Sequence, residues 1–177
     1  MRLLLLYGAP AAGKYTVGKA LAKKTGYPLL HIHAVYDMLE DIFDKENYEH
    51  TLPLMNALCL EIISHAAQQK IPGLIFTYAE LARDNFSYAK KLQRTVRKYG
   101  GKIYFVHLSC TATELRRRVT NPSRKRFKKT KTAAELDYLL SIKEYDKEFP
   151  GAHSMGLDTS AVKPAAAAGI IFSRFFR

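Results

Sequence analysis

Leu3-Leu4-Leu5-Leu6-Tyr7 runs without a break into Gly8-Ala9-Pro10-Ala11-Ala12-Gly13-Lys14-Tyr15-Thr16, and the reading of this stretch decides the fold. The first five residues are continuously apolar, the pattern of a strand covered on both faces in a parallel sheet. From Lys14 to Lys24, Val17, Leu21 and Ala22 recur at helical spacing, and Gly26 supplies a C-terminal stop. Between strand and helix stands G-x-x-x-x-G-K. Gly8 and Gly13 permit backbone angles that a side chain resists. Successive N–H groups then point into one hollow, the helix start adds its positive dipole end, and Lys14 adds a point charge. This arrangement suits a polyphosphate held by Gly8, Ala9, Pro10, Ala11, Ala12, Gly13, Lys14, Tyr15 and Thr16.

One position departs from the usual loop. Tyr15 stands where Ser or Thr commonly holds magnesium, and Thr16 comes one residue later. Either Thr16 supplies the hydroxyl, or magnesium is held mainly by waters and phosphate oxygens, as a strongly hydrated ion allows. Tyr15 packs toward a nucleotide or toward a neighbouring helix.

Outward from the loop, apolar runs alternate with helical patterns. Pro28–Ile32 reads as a second strand, Leu74–Thr77 as a third, Ile103–Leu108 as a fourth and Ser154–Leu157 as a weak fifth. Helical spacing covers Ala34–Phe43 and Leu54–Gln69, the latter capped by Thr51 with Pro53 in its first turn. Asp84 or Asn85 caps a helix reaching Tyr99, and Thr111 or Thr113 starts one that enters the segment 116–131. Thr132 opens a helix to about Lys147, and Pro164 begins the last one. Five alternations without an internal repeat mean an α/β fold with a parallel sheet and helices on both faces.

The composition agrees. The chain has 177 residues, 47% hydrophobic and 25% charged, which excludes disordered, collagen-like and coiled-coil classes. No linker divides it, so residues 1–177 read as one domain. Cys59 and Cys110 have neither disulfide-framework nor zinc spacing and read as small buried hydrophobes of a reducing, cytoplasmic protein. The opening apolar run is too short for a signal peptide, and no stretch approaches the length of a membrane span. Net charge is +12, but nine of the 28 basic residues lie between Arg116 and Lys131, with no acid among them. Three readings fit such a run: solvated charge, a flap over phosphates, or a nucleic-acid patch.

GAPAAGKYT resembles the GxPGxGKGT loop of adenylate kinases, and the chain looks like a P-loop kinase of the nucleoside-monophosphate kinase group. More closely it resembles small ATP-binding proteins grouped with zeta-toxin, chloramphenicol phosphotransferase and shikimate kinase-like enzymes. The matching stretches are the loop, LLHIHAVYDML, LIFTYAEL, IYFVHLSCTATELRRRVTNPSR and LDTS. The resemblance implies a three-layer P-loop NTPase fold with strand order 2-3-1-4-5. It also implies a lid after the fourth strand, which here is the basic segment 116–131. Arg118 and Arg124 match an L-x-x-R-x-x-x-P-x-R lid pattern, with Arg117 in reserve. It implies an acceptor carboxylate after the second strand, where this chain has His31-Ile32-His33. Alternation at a strand end sends both histidines to one face, and His33 best matches the carboxylate; Asp37 is the alternative base.

Thr77-Tyr78 falls where related kinases line the acceptor pocket, while the acid usual at that strand end is missing. Asp158-Thr159 matches an adenine-contacting loop. The expected activity is therefore transfer from ATP, with Mg2+, to an unidentified small molecule. Lys14, Arg118 and Arg124 grip phosphates, and His33 or Asp37 serves the acceptor. The alternatives are a nucleotide-binding switch or slow ATPase, and a nucleic-acid-binding or polynucleotide kinase. Phe172, Phe175 and Phe176 are expected to dock on the core.

Overall fold

A computed structural model of the chain describes residues 1–43, 48–122, 124 and 130–176, with backbone alone at 48–50. Strands β1 (Arg2–Tyr7), β2 (Leu29–His31), β3 (Gly73–Thr77), β4 (Lys102–Ser109) and β5 (Ser154–Asp158) form one sheet. Every pairing is parallel and the order is β2-β3-β1-β4-β5, as the resemblance implied.

Alternation along β1 builds the layers. Leu3, Leu5 and Tyr7 join Phe76 and Phe105 on one face. There they meet Leu39 of α2 (Ile32–Glu40), Met55, Cys59 and Ile63 of α3 (Tyr48–Gln68), and Leu92 and Val96 of α4 (Arg83–Lys98). Leu4 and Leu6 turn to the other face, against Val17 and Leu21 of α1 (Lys14–Thr25) and Leu115 and Val119 of α5 (Ala112–Val119). Leu136 of α6 (Ala133–Ile142) and Ala167 and Ile171 of α7 (Pro164–Phe176) complete that face. All four leucines are 0% exposed, so trimming any one to Ala costs about 2–5 kcal/mol. The terminal aromatics dock as expected: Phe175 packs on Tyr104 at 4.8 Å and Phe176 on Tyr27 at 5.6 Å.

The helix starts differ in a way that matters below. Thr111 Oγ1 accepts from Glu114 N at the start of α5, and Thr132 Oγ1 accepts from Glu135 N at the start of α6, both with the Thr-x-x-Glu spacing of a capping box. Helix α1 instead starts at Gly13, left-handed at φ 94, with no side-chain cap and no acid in its first turn.

Four boundaries differ from the sequence expectation. Strand β2 pairs with β3 only through Leu29, Leu30 and His31, so Ile32 and His33 belong to α2, and His33 does not lie on a strand. Helix α3 begins at Tyr48, before Thr51, which puts Pro53 inside it. Asp84 and Asn85 do not cap α4; with Phe86 they form a left-handed turn at φ 51, 53 and 59. Asn and Asp tolerate that conformation; Phe86 is buried there, edge-on to Phe149 at 5.3 Å.

Helix α6 ends at Ile142, short of Lys147. The following strap has partners that a helix would deny it. Tyr145 O lies 2.7 Å from His107 Nε2, Phe149 N donates to Tyr7 Oη at 2.7 Å, and Lys143 pairs with Glu80.

Candidate phosphate and acceptor site

The C-terminal ends of β1, β2 and β3 open onto a cleft of about 1210 Å³, the place where parallel α/β sheets bind ligands. The loop forms one end of it. Gly8 sits at φ +132, and a Cβ there would stand 2.2 Å from Leu108 O, so only glycine lets the loop lie on β4. Ala11 is also left-handed, at φ 66. Lys14 Nζ donates to Gly8 O and Ala9 O, both at 2.7 Å, which holds the ammonium over the loop. Among the described residues, the Ala11 and Gly13 N–H groups have no protein acceptor. An uncapped helix start, backbone donors and a lysine in one place make a hollow that suits an anion.

The two arginines expected on a lid are placed differently. Arg118 stands beside the loop: a Cβ on Gly13 would come 3.9 Å from its Nη1. Its Nε donates to Glu114 Oε1 at 2.7 Å and its Nη2 to Thr159 O at 2.7 Å. It is thereby clamped between α5 and the turn after β5. Arg124 also lines the cleft and donates from Nε to Thr130 O at 2.9 Å, and burial lowers its pKa. The remaining described arginines of this segment are answered by acids outside it. Arg117 pairs with Glu114 at 2.6 Å and Arg116 with Asp137 at 2.9 Å. Hydrogen bonds from Arg117 and Arg118 hold the Glu114 carboxyl down at about 2. Residues 123 and 125–129 lie outside the described residues, and with them four of the nine basic residues of the run.

Thr159, which the sequence offered only together with Asp158, is a hub. It is 2% exposed, and its Oγ1 bonds to Ala12 O at 2.9 Å and Ser109 O at 3.0 Å while accepting from Arg118 Nη1 at 3.2 Å. Asp158 does not line the cleft. Its Oδ1 accepts from Ser160 N and Oγ, at 2.8 and 2.6 Å, and these bonds lower its pKa.

The other end of the cleft is walled by rings. His31 is 7% exposed, with Nδ1 2.6 Å from Thr77 Oγ1. His33 reaches the same cleft from the first turn of α2, with its ring 5.1 Å from that of His31. Asp37 does not line the cleft, whereas Glu40, three residues further round the helix, does. Tyr78 is buried and donates to Asn56 Oδ1 at 3.0 Å; burial pushes its hydroxyl up to about 12. An acid does stand beyond β3 after all. Glu80 lines the cleft three residues past the strand and pairs with Lys143 at 2.5 Å. Its signal was the TYAEL stretch, but which way Glu80 points depends on the turn, not on strand alternation. Cys59 is buried as expected, while Cys110 is only half-buried.

A magnesium cage does not fit these residues. Thr77 Oγ1 is taken by His31 and Glu80 by Lys143, which leaves the exposed Thr16 hydroxyl at the loop. Among the described residues no group of three or more His, Cys, Asp or Glu is placed to hold a metal. Nor is any described helix long and apolar enough to cross a membrane.

No protein-family model matches the sequence, and no curated protein matches it. Solved structures do. A kinase candidate from Chloroflexus aurantiacus superposes with TM-score 0.75 at 17% identity over 98% of each chain. A sugar kinase from Janibacter gives 0.67 at 18% identity over 98% of this chain and 93% of that one. The APS kinase of Mycobacterium tuberculosis, in complex with AMPPNP and APS, gives 0.65 at 14% over 98% and 96%. The five-stranded sheet, the loop after β1 and these superpositions together give the chain the fold of the P-loop kinases.

Proposed function

We propose that the protein is an ATP-dependent phosphotransferase that phosphorylates a small molecule. The observation that carries this reading is the uncapped, lysine-bearing loop opening into the same cleft as the ring-walled pocket of β2, α2 and β3. Support comes from the neighbours of like fold, among them kinases of sugars, gluconate, shikimate and APS.

In this reading the loop amides and Lys14 hold the outer phosphates. Arg118 fixes the nucleotide end through Thr159, and Arg124 offsets charge on the oxygens of the moving group. His33 serves the acceptor in preference to Asp37, because it reaches the cleft and Asp37 does not. The acceptor oxygen bonds to the terminal phosphorus as the bond from that phosphorus to the bridging oxygen breaks. ADP leaves with the electron pair, and the hydroxyl proton passes to the His33 imidazole. Mg2+ would be held mainly by phosphate oxygens and waters, with Thr16 the chain's own hydroxyl available to it.

A slow ATPase or switch is the second reading. The pairing of Glu80 with Lys143 favours it, since that carboxylate is already engaged. Incubation with terminally labelled ATP and a metabolite panel separates the two. Label on one compound, lost in Lys14→Ala, supports the phosphotransferase; labelled phosphate alone supports the ATPase.

A further inference from the structure

The end of the sheet opposite the cleft carries charge of one sign. Three stretches of the chain hold no acid, 1–36, 85–113 and 159–177, and they carry five, six and three Lys or Arg respectively. The fold brings parts of all three together. Where parallel strands are joined by helices, strand starts and helix C-termini share one end. Arg2 and Lys102, at the starts of β1 and β4, thus join Lys24, Lys98 and Arg174 in the last turns of α1, α4 and α7. Arg2 and Lys102 are register partners on adjacent strands. Arg2 N donates to Pro72 O at 3.1 Å, two residues after Lys70. The first stretch also sends Lys14 and Lys19 to the cleft, Lys19 over the Tyr15 ring that stacks on His31 at 4.4 Å.

Arg2, Lys24, Lys70, Lys98, Lys102 and Arg174 are all exposed, and among the described residues none makes an ion pair. Rings hold three of them instead. Arg2 lies 5.2 Å from the Phe176 centroid, Lys24 4.9 Å from that of Phe172 and Lys98 5.5 Å from that of Tyr99. Phe172 and Phe176 stack on each other at 4.9 Å, which links Arg2 to Lys24 in one patch. At the cleft end the pattern is the reverse: Arg116 is answered by Asp137, Arg117 by Glu114 and Lys143 by Glu80. Cations in a last turn complement the helix dipole, which accounts for Lys24, Lys98 and Arg174 singly but not for Arg2, Lys70 and Lys102. Like charges gathered without acids repel one another, and a polyanion removes that cost. A bilayer calls for protruding apolar side chains beside the cations. Here Phe172, Phe175 and Phe176 are half-buried, and Ile170, exposed on α7, lies a turn nearer the cleft. A single strand calls for free ring faces on which bases stack, and here Arg2 and Lys24 cover them. We propose that this end of the molecule is an interface for the phosphate backbone of duplex nucleic acid, bound without regard to sequence and away from the nucleotide cleft.

Fluorescence anisotropy on the whole chain tests this, with AMPPNP saturating so that the phosphate loop is filled. The probes are a labelled DNA duplex of about 20 bp, one of its strands alone, and vesicles of phosphatidylserine and phosphatidylcholine in equal parts. The duplex is expected to bind, with affinity falling on a log–log plot against salt with a slope of about −4, as four to five phosphate contacts require. Lys98→Gln with Lys102→Gln is expected to make that slope shallower by about 2, and AMPPNP affinity to stay unchanged. Lys24→Gln with Arg174→Gln, on the other side of the patch, is expected to do the same. No duplex binding at about 50 mM salt, or a slope that neither pair of substitutions moves, overturns the proposal. So does a loss of slope confined to Lys128→Gln with Lys129→Gln, which would place the contacts on the segment after β4. Tighter binding of the single strand, or binding to the vesicles and not to the duplex, overturns it as well. Failure of the phosphotransferase reading appears separately, as AMPPNP that does not bind while the duplex still does.

Discussion

The loop end of the cleft is made from nine consecutive residues, 8–16, and works through backbone; the acceptor end is assembled from side chains of β2, α2, α3, the turn after β3 and the strap after α6. A backbone site needs few residue types, but each at a set place: Gly8 against Leu108, Gly13 at the helix start, Lys14 over both. A side-chain site can change its residues without disturbing the sheet. Under the proposed function that division suits each end, since a nucleotide is common to many phosphotransferases and an acceptor is not. It also predicts that damage at the two ends takes different forms.

The largest effect is expected from Lys14→Ala, which removes the charge held over the loop. Turnover should fall by about 100-fold or more with an unchanged far-UV CD spectrum. His33→Ala should lower turnover while leaving ATP affinity alone, and equal loss of ATP binding in both variants would erase the distinction between the ends. Gly8→Ala comes next, and its effect is on the fold. The added Cβ meets a backbone carbonyl at 2.2 Å in a left-handed residue, so a loss of about 2 kcal/mol or more, seen as a melting point several degrees lower, is expected.

The two arginines sharpen the comparison further. Arg118 ties α5 to the turn at Thr159, so Arg118→Ala should weaken ATP binding and lower the melting point together. Arg124→Ala should lower kcat about 10-fold with ATP affinity within about twofold. The mildest effect is one of pH. Glu114 is held below its ordinary value of 4.5, at about 2, by Arg117 and Arg118. A depressed carboxyl stabilises the fold above its unfolded value, and that contribution is lost as pH falls through the folded one. Wild-type stability should therefore decline between about pH 4.5 and 2 through this group, and Glu114→Gln should show a shallower acid decline.

The same division explains what could be read from the residues. β1 was legible because Leu3–Leu6 admit few structures other than a doubly covered strand, and the loop because Gly8, Gly13 and Lys14 are local requirements. The threonine caps of α5 and α6 were legible for the same reason. The acceptor end was legible only in part. His33 was expected just past a strand ending at Ile32, yet β2 stops at His31 because β3 offers no further partner, and the ring arrives from a helix instead. Helical phase then exchanges Asp37 for Glu40 at the cleft. Glu80, Lys143 and Tyr145 depend on how a turn and a strap are pinned by His107 and Tyr7, contacts more than 35 residues apart in sequence that no local pattern encodes. Asp158 and Thr159 differ by a single position, and only the hydrogen bonds of Thr159 to Ala12 and Arg118 show which side chain faces the loop.

The loop's capacity to hold a triphosphate underlies every role assigned to the cleft, and titration calorimetry with AMPPNP tests it directly. The wild-type chain should take up one nucleotide with a Kd in the range of about 1 μM–1 mM, and Lys14→Ala should not. Absence of heat from the wild-type protein with both ATP and GTP analogues, with or without Mg2+, would contradict the account.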